Sequence, residues 1–345
     1  MFQLAAIFSP GFEKVISNAL TDIIPDAYKI NISSGFVRFC TDKNPFRAVN
    51  ADFLNNSFLV LKEWNNKGNP PAFEAMAKNI KIPQTILPEI LSHHYKTFRL
   101  RFSRANVFTS VNKNIMSNVE KQIASQTGMK PDRLGGDTEL WFLTRTDGYA
   151  CFALRMTKKQ STEKYLQKGE LRPEFVTLLT VFAGLSSKSI CEESYVFLDP
   201  FTGHGGIVKR LSEMFPKAKI LSSEIDDELV KKIKGCIQAD AANLSFVTDN
   251  SVDCVITDPP WGFWQGDLRD DNKLKNLYSG MLKEFSRIVK SGGTICVLTA
   301  AKEIFEEAFN LSDFAPLGKA TSFRNDVLVN GKKAAVYVWK NQIKK

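Results

Sequence analysis

The sequence predicts an α/β protein whose second half is a doubly wound, mostly parallel sheet and whose first half is a basic α+β region. Three observations carry this. After Leu171, short apolar bursts alternate with helical patterns. The last of them, "DVLVNGKKAAVYVWK", reads as a hairpin about Asn330-Gly331 and puts an antiparallel edge on that sheet. The charge is also split: residues 1–168 hold 23 Lys and Arg against 14 Asp and Glu, whereas residues 169–345 hold 23 of each. At 345 residues the chain can bury two or three separate cores.

From the start, "QLAAIFS" is strand-like and is followed by Pro10-Gly11 and a helical pattern from Phe12 to Ile23. "AYKINISSGFVRFCT" gives two strands around Ser34-Gly35, completing a small α+β unit over residues 1–65. The polar run Asn65–Pro71 reads as a loop or linker, and a second unit is expected over 66–156. In "TFRLRFSR" the alternation of Phe98, Leu100 and Phe102 sends Arg99 and Arg101 to the other face. A helix is expected from about Asn112 to Thr127 with Gly128 as its stop, then two strands joined through Asp147-Gly148. Residues 157–170 are hydrophilic and read as a linker, and 171–345 as the third domain. There "YVFLD" enters a glycine-rich loop and "GIVKRLSEMF" continues as a helix. "KAKILSSE", "CIQAD", "DCVITDPP" and "GGTICVLTA" are further strands, with a helix from Tyr278 to Val289 before the last.

Composition narrows the classes. With 43% hydrophobic and 24% charged residues, global disorder is excluded. The longest apolar stretch, Phe175–Leu185, is too short to span a bilayer, and the N-terminus lacks a basic leader, so a cytoplasmic protein without membrane contact is expected. Six cysteines lie far apart without a C-x-x-C pair, as for reduced thiols. The three histidines, two of them adjacent at His93-His94, have no ligand spacing, so no metal is expected. The lopsided charge points to a polyanion for the first half.

Two motifs carry chemistry. In "LDPFTGHGG", Gly203, Gly205 and Gly206 let backbone approach a ligand closely at the start of a helix, although a tight β–α turn would read the same way. Glu224 ends the next strand about 20 residues on, a spacing suited to an acid accepting ribose hydroxyls. Asp240 ends the third strand, where it would accept from an adenine amino group or simply face solvent. No Lys-Ser or Lys-Thr follows the glycines, which excludes a P-loop. The second motif, "DPPWG" from Asp258, suits transfer to an amino group on a planar ring. Such a nitrogen is a poor nucleophile. Asp258 and the Pro259 carbonyl would accept its N–H bonds and turn its lone pair outward, Pro259 and Pro260 would stiffen the turn, and Trp261 would stack the base.

"DPFTGHGG", "SSEID", "QADA" and "DPPWG" together resemble the signatures of Rossmann-like S-adenosylmethionine-dependent methyltransferases. "KGELRPEFVTLLTVFAGL" resembles the stretch before the cofactor loop in the THUMP-linked RNA guanine-N2 methyltransferases. "SPGFEKVISNAL" is similar to their N-terminal ferredoxin-like domain and "FRLRFSRANVFTS…GYACFALRMT" to their THUMP domain, so the resemblance spans nearly the whole chain. It implies methylation of a guanosine N2 in tRNA, in the acceptor stem at position six, by a monomer whose THUMP half docks the RNA 3′ end. S-adenosylmethionine would be held by Pro173, Asp199, Phe201, Thr202, Gly203, Gly205, Glu224, Ile225, Asp240, Ala241 and Asp258. Catalysis would fall to Asp258, Pro259, Pro260 and Trp261, and RNA contacts to Arg99, Arg101, Arg104 and Lys113. Two departures stand out: Thr202, His204 and Gly206 replace the family's usual loop residues, and Trp261 stands where Tyr is frequent. The rival readings are methylation of adenine N6 or of another structured RNA, and a non-catalytic RNA-binding protein on the same scaffold.

Overall fold

The computed structural model describes residues 1–66, 69–157, 166–167, 169–186, 194–263, 266–312, 314 and 324–342. Most of the expected linker at 157–170, together with Cys191, lies outside the described residues. The chain forms two compact units, Met1–Phe8 with Ile23–Gln160 and Ser9–Asp22 with Ser161–Lys345. Helix α1 (Glu13–Ile23) is thereby grouped, up to Asp22, with the second unit.

The first unit is a single sheet built from β1 (Phe2–Ile7), β2 (Tyr28–Ser33), β3 (Phe36–Thr41), β4 (Asn56–Asn65), β5 (Thr97–Arg104), β6 (Val107–Phe108), β7 (Lys130–Pro131), β8 (Thr138–Thr144) and β9 (Tyr149–Arg155). Its order is β2-β3-β1-β4-β9-β8-β5-β6, with β7 also on β5. β4 pairs with β1 on one side and β9 on the other, so residues before and after position 65 share one sheet. Helices α2 (Phe73–Met76), α3 (Leu87–Leu91) and α4 (Lys113–Thr127) complete the unit. α4 has the expected ends: the Asn112 side chain accepts from Asn114 N, and Gly128 turns left-handed at φ 74°.

The second unit contains α5 (Pro173–Phe182), β10 (Val196–Asp199), α6 (Gly206–Met214), β11 (Lys219–Glu224), α7 (Asp227–Val230), β12 (Ile237–Gln238), β13 (Val252–Thr257), α8 (Asp271–Ile288), β14 (Val289–Thr299), α9 (Lys302–Asn310), β15 (Arg324–Val329) and β16 (Lys332–Lys340). The sheet runs β12-β11-β10-β13-β14-β16-β15, and β16 is antiparallel to both its neighbours. This is a Rossmann-like α/β architecture. Strand order reverses at β10, which pairs with β11 on one side and β13 on the other, so a crevice opens at the carboxyl ends of these strands.

Two elements differ from the sequence expectation. α8 begins seven residues earlier than Tyr278, because Asp270 caps it by accepting from Asn272 N and Lys273 N. Its first turns are polar and carry little apolar period, which hid them. β12 stops at Gln238, and Asp240 stands in the turn beyond it.

Leu274, Tyr278, Met281, Leu282, Phe285 and Ile288 give α8 its buried face. On the same helix a Cβ at Gly280 would stand 2.6 Å from the Ala242 Cβ, so the helix can lie against the turn after β12 only with glycine there. Gly280→Val should therefore destabilise the second unit by about 1–3 kcal/mol. Urea denaturation checks this, and an unchanged midpoint would show that the helix has room to spare.

Candidate active site

The crevice gathers three strand-end acids. Asp199, at the end of β10, is fully buried. Its Oδ1 accepts from the Thr257 hydroxyl at 2.8 Å, which ties β10 to the end of β13, and from Phe201 N at 3.2 Å. Its Oδ2 is buried with no hydrogen-bond partner. Burial, with the charge of Glu224 adding to it, pushes this carboxyl up to about 7 against the two bonds that favour its charged form.

The loop after Asp199 is pinned from within. The Thr202 hydroxyl donates to Asp199 O, Thr202 N to Ser223 O on β11, and Gly205 N to Thr202 O. Gly205 has φ 85°, which suits glycine, and it precedes α6 with no side-chain cap. Gly203 N donates to Glu224 Oε2 at 2.8 Å, and Ile225 N and Asp226 N donate to Oε1. Three backbone N–H groups thus orient the Glu224 carboxylate and leave an acceptor position on Oε2. Beside it Ile225 is 66% exposed, a large apolar surface at a strand end.

Ala239 N donates to Glu224 O, bringing the Asp240 turn next to the Glu224 strand end. Asp240 is exposed and caps its own turn through Ala242 N, while Ala241 is buried. Pro173, the first residue of α5, is exposed; the residues that approach the glycine loop from that side are Glu170 and Leu171, whose atoms would stand 3.2 Å from a Cβ at Gly206. His204 is exposed.

After β13 comes the turn Asp258-Pro259-Pro260-Trp261. Trp261 Nε1 donates to Asp258 Oδ1 at 2.8 Å, so the indole is held by the acid it follows. Asp258 is only partly exposed. Burial pushes its carboxyl up to about 8, the Trp261 bond opposing and the nearby Asp199 charge reinforcing the rise. Pro260 O accepts from the Tyr278 hydroxyl at 2.6 Å, and that hydroxyl also meets Thr299 Oγ1, at the end of β14, at 2.9 Å. The turn is therefore clamped to α8 and β14 from beneath, while the Pro259 carbonyl has no hydrogen-bond partner among the described residues. Phe263, 46% exposed, meets the Trp261 ring edge-on with centroids 6.3 Å apart.

The sequence reading missed Thr257 and Tyr278. Thr257 sits in an apolar strand, and Tyr278 falls on the buried stripe of α8, where its spacing reads only as core.

The basic residues expected to meet RNA are divided by their strand. Arg99 and Arg101 project from one face of β5, paired in register with Glu139 and Trp141 of β8. Arg101 Nε donates to Glu139 at 3.2 Å and its guanidinium lies over Phe108, while Arg99 donates to Leu134 O. Arg104 is exposed, leans over Phe73 and lies on the face opposite Arg101; Lys113 is exposed at the start of α4. Among the described residues no group of three His, Cys, Asp or Glu side chains could hold a metal ion, and no helix is long and apolar enough to cross a membrane.

Residues 223–326, which include Glu224, Asp240 and the Asp258 turn, match the UPF0020 family, described as an RMKL-like methyltransferase domain. Among solved structures, TrmN from Thermus thermophilus is 19% identical with a TM-score of 0.74, covering 99% of this chain and 100% of its own. SMU.472, a structure complexed with SAH, is 13% identical with a TM-score of 0.65 over 100% of this chain and 99% of its own. A predicted N6-adenine-specific DNA methylase from Listeria monocytogenes is 14% identical with a TM-score of 0.59, over 98% and 96%. At such identities the likeness is one of fold. No curated protein sequence matches the chain significantly.

Two predictions follow from the clamp and the buried acid. Tyr278→Phe leaves Pro260 O and Thr299 without their shared partner and should lower stability by about 1–3 kcal/mol; a denaturation midpoint equal to that of the parent would show the clamp to be incidental. For Asp258 the folded carboxyl keeps its proton up to about 8, whereas an unfolded aspartate loses it near 3.8, so its share of stability falls as pH rises through that window. In the ligand-free protein, Asp258→Asn should therefore melt higher than the parent at pH 8.5, with the gap closing toward pH 4. Melting curves that stay parallel across this range would contradict a half-buried acid that keeps its proton.

Proposed function

We propose that this chain is an S-adenosylmethionine-dependent methyltransferase acting on RNA, and that its target is the N2 amino group of a guanosine in the acceptor stem of tRNA, at position six. The observation that carries this reading is the pairing, at one strand switch point, of a glycine loop beside an unpartnered buried Asp199 oxygen with the clamped Asp258–Trp261 turn. The match of residues 223–326 to a methyltransferase domain supports the reaction class. The SAH in the SMU.472 structure supports the cofactor, and the surplus of Lys and Arg in residues 1–168 supports an RNA substrate.

The residues present fit the cofactor. Glu224, held by three N–H groups with acceptor capacity left on Oε2, would take ribose hydroxyls, and exposed Ile225 would cover an adenine face. Asp240 and Ala241 would border the base, and Pro173, Phe201, Thr202, Gly203 and Gly205 would line the methionine side. Asp199 Oδ2 is a buried acceptor awaiting a donor, and an ammonium group would satisfy it. When bound, S-adenosylmethionine supplies an electrophilic methyl group on a positively charged sulfur. A positive charge near Asp199 and Asp258 favours their ionised forms, so filling the cofactor site would also ready Asp258 as an acceptor.

Trp261, locked by its bond to Asp258, would stack a base turned out of its helix. Asp258 and the Pro259 carbonyl would accept the two N–H bonds of its amino group, so that the nitrogen lone pair is presented away from them. As positive charge develops on that nitrogen both oxygens stabilise it, and the proton passes to Asp258 or to water. Pro260 acts through its carbonyl, which Tyr278 holds. We also propose that residues 1–65 and 66–156 are ferredoxin-like and THUMP domains that hold the tRNA 3′ end, and that the enzyme is a cytoplasmic monomer.

The same turn suits adenine N6, the target in the name of the Listeria neighbour. Nucleoside mass spectrometry after incubating the full chain with total tRNA and S-adenosylmethionine separates the readings. N2-methylguanosine is expected, and Asp258→Ala should cut its formation by about 10²–10³ while cofactor affinity stays within a few-fold. N6-methyladenosine would replace the guanine assignment. Cofactor binding without any methylated nucleoside would leave a scaffold that binds RNA without modifying it.

A further inference from the structure

One face of the sheet in the first unit has an apolar floor of Ala5, Phe36, Phe58, Val60, Trp141, Leu143, Tyr149, Cys151 and Ala153. Arginines lie over it. Register places Arg38 of β3, Arg155 of β9, and Arg99 and Arg101 of β5 on this face. The guanidinium of Arg38 sits 4.3 Å from the centroid of the Tyr149 ring, and that of Arg145, from the β8–β9 turn, sits 4.8 Å from the Phe36 ring. Those two rings are neighbours, with centroids 5.7 Å apart. Stacking flat on a ring fixes a guanidinium's plane and leaves its N–H edge to bond sideways.

The arginines differ in their partners. Arg101 and Arg155 both pair with Glu139, which also accepts from Trp141 Nε1. Burial opposes the charge on Glu139, but these bonds outweigh it and hold its carboxyl below the usual range. Among the described residues, Arg38 and Arg145 bond only neutral acceptors: Asn31 and Asn65 side chains for the first, the Asn106 side chain and Ser34 O for the second. Among the described residues Arg145 Nε is buried with no hydrogen-bond partner, as is the hydroxyl of Tyr149, the ring that Arg38 covers; the Cys151 thiol lies beside that hydroxyl. Burial works against the charge on Arg145, with Asp147 offsetting part of that effect. Glu63, whose charge reaches Tyr149 as that of Arg38 does, accepts from Gln3 and has no ion pair with Arg38 among the described residues. A partly buried guanidinium bonded to no carboxylate is costly unless an anion meets it in the working state.

We infer that Arg38 and Arg145 form a phosphate-binding site on this sheet face, through which the RNA backbone docks on the first unit. The inference rests on the RNA reading above and deepens it, since it names side chains that take phosphate oxygens. The surplus of Lys and Arg in residues 1–168 is the complementary charge. Arg101 and Arg155, already neutralised by Glu139, frame the surface. Both phosphate ligands come from separate parts of the chain, and Arg145 reaches Ser34 across 111 residues.

The test is a fluorescence anisotropy titration of the full chain with a labelled tRNA transcript over a range of salt. Relative to the parent, Arg38→Gln/Arg145→Gln should raise the Kd about 10-fold at moderate salt. It should flatten the log–log salt slope by about 0.7–0.9 for each lost contact, with SAH affinity unmoved. Arg101→Gln should change the slope by much less. Because Arg145 also braces Ser34, Arg38→Gln alone, whose partners are two exposed amides, carries the test if the double variant melts early; its slope should flatten by one contact. A parent that binds and methylates tRNA beside variants with unchanged slopes overturns the site and leaves the enzymatic reading standing. A parent that binds no RNA overturns both.

Discussion

The second unit depends on one hydrogen bond at the point where its strand order reverses. The Thr257 hydroxyl donates to a buried Asp199 carboxyl, and by doing so fastens the ends of β10 and β13 together. These strands carry the two turns of the candidate site, one rich in glycine and one in proline. A carboxyl in that position is expensive to bury, and its second oxygen goes unpartnered. Such an arrangement is more than the fold alone requires, because an apolar pair would join the strands at lower cost. Its cost becomes intelligible if a cationic ligand completes it.

Around that bond the chain concentrates acids that repel one another. The charge of Glu224 raises Asp199, and the charge of Asp199 raises Asp258. The structure manages this by surrounding each with donors of a different kind: a threonine hydroxyl and an amide for Asp199, three amides for Glu224, an indole for Asp258. The indole donor explains how tryptophan serves at the fourth position of the motif. It both presents a ring and steadies the acid, whereas a tyrosine would offer its hydroxyl from a different place. The proline turn is held through Pro260 O by a buried tyrosine, and in the proposed reading the Pro259 carbonyl is the oxygen that meets the base.

In the first unit the same economy appears with opposite sign. Arginines cover an aromatic floor that would otherwise be bare to solvent, which lets one set of side chains protect the sheet and present cationic edges. Glu139 neutralises two of them, and the uncompensated pair marks where charge remains available.

Local signals made much of this legible. Alternation in "TFRLRFSR", the Asn112 and Gly128 ends of α4, the Asp147-Gly148 and Asn330-Gly331 turns, and the β–α rhythm after Leu171 all specify structure through neighbours in the chain. So did the motif residues at strand ends, because strand direction alone brings Asp199, Glu224 and Asp258 to one edge of a parallel sheet. Only the tertiary structure decided which groups complete the site. Tyr278 had the spacing of a core residue, and nothing in that spacing says that its hydroxyl meets Pro260; Thr257 looked like one more strand residue. Arg38 and Arg145 were no more conspicuous than Arg101 until the fold bonded one to Glu139 and the others to amides and a carbonyl. Period and capping are properties of consecutive residues, and a sequence displays them directly. A hydrogen bond between residues far apart depends on distances that exist only after the chain has packed.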